Sequence, residues 1–123
     1  MIHFTIPLEP RTKKNSQRIV QRGGRVFILP SAQYKEYEEM CGYYIRHKCE
    51  MINHPVNIKC IFYMRTRRKC DLTNLLEAID DILTHYRVIA DDNYTIVAAH
   101  DGSRVYVDKN KPRTEVFIEE VEK

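Results

Sequence analysis

Hydrophobic and polar residues alternate along several stretches of the chain, and this period of two predicts β-strands. Ile2, Phe4 and Ile6 alternate with polar residues at the start. A longer alternation over residues 56–65 predicts a strand with one mostly apolar face. The pattern predicts three further strand regions: a hairpin over 18–29 around Gly23-Gly24, a strand over 94–107 interrupted or bent around Asp101-Gly102, and a final strand over 114–121.

A period of 3.6 residues marks two other stretches as helices. Ser31 is a typical N-cap residue, and apolar residues recur on one side until about residue 48. The second predicted helix covers residues 73–85. Its core side carries Leu72, Leu75, Leu76, Ile79 and Leu83, and its opposite side carries Asn74, Glu77 and Asp81.

The order of these elements is β, ββ, α, β, α, β, β, which predicts an α+β fold. We expect a mixed or antiparallel β-sheet with two main helices packed on it. A chain of 123 residues suits one domain, so we expect a single domain over residues 1–123. With 43% hydrophobic residues, the chain can bury a core without disulfides or metals.

Charge is unevenly distributed, although the net charge is only +3. Residues 71–92 contain six acids and one base, whereas the rest of the chain carries 19 bases and 11 acids. A cationic surface attracts polyanions, and nucleic acid is the first candidate. An acidic cluster within that surface would repel DNA unless a divalent cation occupied it.

Several classes of protein are disfavoured. The four cysteines show no CxxC pair, so we expect reduced thiols rather than a zinc site. The N-terminus lacks a signal-peptide pattern, and no apolar run approaches the roughly 20 residues of a membrane span. A cytoplasmic location without membrane association is therefore expected. No HExxH motif or glycine-rich phosphate loop is present.

The acids have both a metal-binding and a structural interpretation. Asp71 lies between a strand and a helix, and Asp91-Asp92 precede a later strand, so they converge if the two strands are neighbours. Clustered carboxylates repel each other, and Mg²⁺ or Mn²⁺ would relieve that repulsion. Alternatively, Asp71 is a helix cap, Asp80-Asp81 form a solvated face, and residues 91–93 are an ordinary turn. The residues leave both interpretations open.

Two basic stretches are candidates for phosphate contacts. The first follows the predicted strand 56–65 and precedes Asp71, and the second lies in the N-terminal loop. Contacts from these residues would position a DNA backbone beside a metal ion. The candidate DNA-binding residues are Arg65, Arg67, Arg68 and Lys69 in the first stretch and Lys13, Lys14 and Asn15 in the second.

The segment DLTNLLEAIDDIL, followed by VIADDNYTI, resembles the RusA family of Holliday-junction resolvases. The family pattern is Asp-x-Asp-Asn-Leu, a lysine three residues on, an aspartate near the helix end, and a later Asp-Asp pair. Asp71, Asp81, Asp91 and Asp92 match family aspartates, and Asn74-Leu75 match Asn-Leu. The resemblance implies a small homodimeric, Mg²⁺-dependent endonuclease that cuts four-way DNA junctions in recombination and repair. Such proteins are often encoded by phages or prophages.

Two positions depart from this pattern. Thr73 stands where the second aspartate is expected, and Glu77 stands where the lysine is expected. We hypothesise a rearranged site in which Asp71, Glu77, Asp91 and Asp92 are catalytic and surround the ion. Asp81 lies in or near that shell, and Thr73 and Asn74 lie beside it. Lys13 or Lys14 is the candidate for the missing lysine.

The two departures also leave other functions open. One alternative is a protein that binds DNA junctions and has lost cleavage. Another is a metal-dependent nuclease with a different preference, such as flap, single-stranded or RNA substrates.

Overall fold

The computed structural model describes residues 1–13, 17–45 and 49–121. Its secondary structure follows the predicted α+β class. The elements in chain order are β1 (Ile2–Ile6), β2 (Gln17–Arg22), β3 (Arg25–Pro30), α1 (Ala32–Ile45), β4 (Val56–Met64), α2 (Leu72–His85), β5 (Val97–Ala99), β6 (Arg104–Val107) and β7 (Arg113–Glu120).

The main sheet has five strands and is mixed, as the sequence predicted. The order across the sheet is β1, β7 and β4, and β5 and β6 both pair with the far side of β4. β7 is antiparallel to both β1 and β4. β5 and β6 are parallel to β4. Because α2 joins β4 to a parallel neighbour, the helix must return along the length of β4.

The region 94–107 is two short strands, so the prediction of one strand beginning at Tyr94 is wrong at its start. Asn93 begins a turn in which its carbonyl accepts the Ile96 amide at 3.0 Å. The bend predicted at Asp101-Gly102 is present. There the Asp101 amide donates to the Asn57 side chain at 2.7 Å, and Gly102 has a φ of +87°. In the segment that separates β5 from β6, these local bonds take the place of backbone pairing with β4.

The core lies between the helices and one face of the sheet. Residues of β4 alternate between buried and partly exposed positions, as a strand covered on one face requires. α1 contributes the predicted stripe that includes Tyr34, Tyr37, Cys41 and Ile45, and Tyr44 is half-buried beside it. α2 contributes Leu75, Ile79 and Leu83, which are at most 1% exposed. The periodicity of both helices is thereby confirmed.

Local signals at the start of α1 and at the hairpin turn are also confirmed. Ser31 caps α1, because its Oγ accepts the Tyr34 amide at 3.1 Å. Gly23 and Gly24 have φ values of +57° and +77°, as a two-residue turn with positive φ at both positions requires. β2 and β3 form a separate two-stranded sheet. In the described ranges, no helix has the length and apolar character needed to cross a membrane.

A candidate active site along α2

The N-terminal end of α2 presents Asp71 to solvent. Asp71 is the residue before the helix and has extended backbone angles, φ −84° and ψ 133°. Its carboxylate makes no capping hydrogen bond to the helix and instead accepts the Asn74 side-chain amide at 3.4 Å. Asp71 is therefore the N-cap residue of α2, as the structural interpretation held, but its carboxylate makes no capping bond and is exposed to solvent.

The polar side of α2 continues from Asn74 toward the end of the helix. Thr73 and Glu77 are exposed, whereas Asn74 and Asp81 are half-buried. This side lies opposite the buried residues that face the sheet. The carboxylates of Glu77 and Asp81 are both close enough to Tyr34 of α1 to raise its pKa, although burial is the larger cause.

Lys13 of the N-terminal loop reaches the acidic side of α2. Its ammonium group lies 2.9 Å from a carboxylate oxygen of Asp81 and 5.8 Å from the centre of the Tyr34 ring. The sequence named Lys13 and Lys14 as candidates for the missing lysine. The structure brings Lys13 to the aspartate one helical turn beyond Glu77. Lys14 and Asn15 lie outside the described residues.

Asp81, Asp91 and Asp92 form a cluster at the C-terminal half of α2. Burial and close contact with Asp81 and Asp91 raise the pKa of Asp92 above its ordinary value. The turn is held by Asp91, which accepts the Asp92 amide at 2.7 Å and the Asn93 side-chain amide at 3.0 Å. The Asp-Asp-Asn segment therefore forms a hydrogen-bonded turn, and its carboxylates repel each other and Asp81.

Asp71 does not join this cluster within one chain. The strands that bracket α2 are neighbours, as the convergence argument required, but they are parallel. The turn before β5 consequently lies beside the start of β4, whereas Asp71 follows its end. Ten residues separate Asp71 from Asp81, or about 15 Å along a helix axis. Across the described residues, no three His, Cys, Asp or Glu side chains are arranged to hold a metal ion.

The predicted basic stretch before Asp71 is largely exposed. Arg67, Arg68 and Lys69 all face solvent. Arg65 is also exposed, but its Nε lies 3.1 Å from a carboxylate oxygen of Glu9. The first three cations are therefore better placed than Arg65 to contact a phosphate.

Sequence reasoning missed a partly buried pair formed by Asp80 and His100. The His100 Nε2 lies 2.8 Å from an Asp80 oxygen, and its Nδ1 lies 2.8 Å from the Ile58 carbonyl. Burial raises the pKa of Asp80. Burial alone would lower the pKa of His100, but the hydrogen bond and charge of Asp80 raise it.

The spacing of apolar residues in α2 indicates that Asp80 faces the core. Asp80 lies four residues after Leu76 and three before Leu83, on the side of α2 that faces the core. The interpretation of Asp80 as part of a solvated face is wrong, whereas Asp81, one residue later, does face the polar side. A carboxylate on an apolar stripe needs a partner, and only the fold reveals that the partner is His100.

An α+β fold with clustered carboxylates at one end of a helix and exposed cations at the other is compatible with a phosphodiester hydrolase acting on nucleic acid. The family model for endodeoxyribonuclease RusA matches residues 7–119, nearly the whole chain. The protein therefore belongs to the RusA family of endodeoxyribonucleases, hydrolases that act on DNA phosphodiester bonds. Membership implies endonuclease activity of the Holliday-junction resolvase type. A comparison with curated protein sequences found no match.

Proposed function

We propose that the protein is a Mg²⁺-dependent endonuclease that resolves four-way DNA junctions during recombination or repair. The observation that carries this proposal is the contact of Asp92 with Asp81 and Asp91 in a chain of the RusA family. Three carboxylates held together at neutral pH repel each other, and a divalent cation relieves this repulsion.

The donor chemistry of the cluster fits a hard divalent ion. Carboxylate oxygens favour Mg²⁺ or Mn²⁺ over zinc. Asp81, Asp91 and Asp92 would hold the ion from one end of α2 once they draw closer together, and Glu77 remains a predicted ligand one helical turn before Asp81. Asp71, about 15 Å from Asp81 along the helix axis, is too distant to bind the same ion. When bound, such an ion polarises the phosphate and generates the nucleophile from water.

Lys13 is the best candidate for the cation that the family pattern places where Glu77 stands. Its ammonium group already lies within 2.9 Å of Asp81. Binding of a metal ion by Asp81 would release this ammonium group from its ion pair, and the lysine would then bind a phosphate oxygen and hold the backbone against the acidic side of α2. Glu77 adds a carboxylate at the position from which the family lysine is missing.

Two cuts at symmetric positions of a junction require two sites related by a twofold axis. We therefore propose that the active form is a homodimer. Paired nicks on opposite strands would be the product of such a dimer, whereas a monomer would nick one strand at a time.

A labelled synthetic four-way junction, incubated with Mg²⁺, Mn²⁺ or EDTA, tests the proposal. We expect paired nicks with either metal and none with EDTA. A shift in gel mobility without nicks would contradict cleavage and identify a junction-binding protein. Preferential cutting of a flap or linear substrate would contradict the junction preference.

The substitution Glu77→Gln tests the rearranged site. It removes the charge with little change in shape, and we expect it to abolish Mg²⁺-dependent cleavage. Glu39→Gln is the matched control, because Glu39 is an exposed glutamate on α1. Full cleavage by Glu77→Gln would refute a role for Glu77 at the metal.

A further inference from the structure

A polar cavity of about 210 Å³ lies between the N-terminal loop and the segment that joins β4 to α2. Arg11 of the loop lines it, together with Arg68 and Lys69 of the joining segment. Its uncharged polar lining includes Thr12, Ser31 and Gln33. The cavity therefore combines cations from two segments of the chain with hydrogen-bonding groups.

The three cations are free to bind an anion. Within residues 1–13, 17–45 and 49–121, none of them forms an ion pair with a carboxylate, whereas neighbouring Lys13 and Arg65 do. The acid that lines the cavity, Glu9, already contacts Arg65 at 3.1 Å. The charge of Glu9 is thus largely compensated, and the cavity keeps a positive potential.

The start of α2 adds to that potential. Cys70, two residues before the helix, lines the cavity, and the Asp71 side chain does not cap the first amides. The amino end of a helix carries partial positive charge and favours a nearby anion. This contribution supports the cations and would be weak without them.

We propose that this cavity binds one backbone phosphate of a DNA strand. The inference rests on the proposed function and adds Arg11 and the cavity to it. A phosphodiester carries one negative charge and only acceptor oxygens, which matches two guanidinium groups, an ammonium group and hydroxyl donors. An apolar base would leave these cations without partners.

The position of the cavity defines its role. It adjoins Asp71 and lies at the opposite end of α2 from Asp81, about 15 Å along the helix axis. Along the axis of duplex DNA one strand rises about 3.4 Å per nucleotide, so this distance spans about four nucleotides of a duplex whose axis runs parallel to α2. The held phosphate is therefore several steps from any phosphate at the Asp81–Asp91–Asp92 cluster, and it sets the register of the strand along α2.

Neutralising single phosphates tests the proposal. Binding would be measured with the Asp92→Asn variant, to avoid cleavage, on four-way junctions that each carry one methylphosphonate. We expect one position where neutralisation weakens binding about tenfold. The same neutralisation should have less than about a twofold effect when Arg11→Gln and Arg68→Gln are added, because the cations that bind that phosphate are then absent.

Salt dependence provides a second readout. The double substitution should reduce the slope of log affinity against log salt by about 0.9, because the protein then neutralises one phosphate fewer. Arg104→Gln, at an exposed position on β6, is the control and should leave both the affinity pattern and the slope unchanged. An unchanged slope in the double variant, or continued sensitivity at every phosphate, would overturn the proposal.

The same titration on a linear duplex separates this proposal from the proposed function. If the double variant loses the single-phosphate effect on both the junction and the duplex, the result supports a phosphate site in the cavity. This holds even if the wild-type protein fails to cut junctions. Conversely, metal-dependent junction cleavage with no effect of Arg11→Gln and Arg68→Gln overturns the cavity and leaves the proposed function standing.

Discussion

At the scale of single residues, Asp80 and Asp81 are adjacent in sequence and have opposite environments. Asp80 points into the protein and contacts His100, whereas Asp81 points to the polar side and contacts Lys13. The helix explains the difference, since successive side chains are rotated by about 100°. One carboxylate stabilises the attachment of α2 to the sheet, and the other belongs to the candidate site.

Asp92→Asn tests the repulsion in the acidic cluster. Because the pKa of Asp92 is raised, its charged form costs stability above about pH 4. We expect the variant to melt no more than about 3 °C higher than wild type without metal, since the cluster is partly exposed. Added Mg²⁺ should raise the melting temperature of wild type and have a smaller effect on the variant.

The control for this experiment is Asp101→Asn, an exposed aspartate in the bend between β5 and β6. Its response to Mg²⁺ should equal that of wild type. A wild-type protein whose melting temperature does not respond to Mg²⁺ or Mn²⁺ would contradict a metal site at Asp92.

His100→Gln tests the partly buried pair. The raised pKa of His100 means that protonation stabilises the fold below about pH 6.5 and that this stabilisation is lost as pH rises. The raised pKa of Asp80 has the same sign but acts from a lower pH, because its contribution is lost as pH rises above its ordinary value of about 4. The free energy of unfolding of wild type should therefore fall as pH rises above about 6.5.

Glutamine cannot titrate, so the variant should show a flatter dependence over this range. At pH 6 we expect it to be about 1–3 kcal/mol less stable than wild type, because it lacks the charged hydrogen bond. Urea unfolding at several pH values provides the measurement, with the exposed His85→Gln as control. Parallel pH profiles for wild type and His100→Gln would show that His100 is not the titrating group.

At the scale of elements, α1 and the end of α2 meet at Gly42 and Tyr86. The Tyr86 hydroxyl donates to the Glu38 carbonyl at 2.8 Å, which places its ring against Gly42. A Cβ atom added at Gly42 would lie 2.7–2.8 Å from three atoms of that side chain. Position 42 of α1 is therefore a glycine because the Tyr86 ring packs closely against it. The backbone there is helical and does not form a turn.

Gly42→Ala should destabilise the protein by about 1–2 kcal/mol. Alanine favours the helix by about 1 kcal/mol, but the displaced Tyr86 ring loses its packing and its hydrogen bond. Thermal unfolding measures the net effect. Adding Tyr86→Leu to Gly42→Ala should cost less than the sum of the two single changes, because the leucine side chain removes the clash. A stabilised Gly42→Ala protein would show that the ring moves freely.

At the scale of the whole molecule, β4 organises both the core and the site. It pairs with β7 on one side and with β5 and β6 on the other. One end of β4 leads through the basic segment to Asp71, and its other end lies beside the strand that follows Asp92. The acidic side of α2 therefore spans the molecule from the cationic cavity to the carboxylate cluster.

The β2–β3 hairpin stands apart from this arrangement. It forms a two-stranded sheet, and it exposes Ile19 and Val26 at 76% and 65%. A two-stranded hairpin without further packing is marginally stable. We expect its amides to exchange with deuterium much faster than those of β7, which has a strand on each side. Equal protection in both regions would show that the hairpin has a partner in solution, such as a second copy.

The sequence by itself determined the elements, because periodicity and turn chemistry are local. It predicted the main strands, both helices, the Ser31 cap and the Gly23-Gly24 turn. Where it failed, as at Tyr94, local bonds made by Asn93 compete with strand pairing. The family match also follows from sequence, since the RusA family model matches residues 7–119.

Only the tertiary structure decided which charges meet. The acidic residues were visible in the sequence, but a parallel β4–β5 pair separates Asp71 from Asp92, whereas an antiparallel pair would have brought them together. The pairing of Asp80 with His100 and the presence of Arg11 and Arg68 in the lining of one cavity likewise join residues distant in the chain. Electrostatic interactions depend on distance in space, and strand direction and helix rotation set that distance.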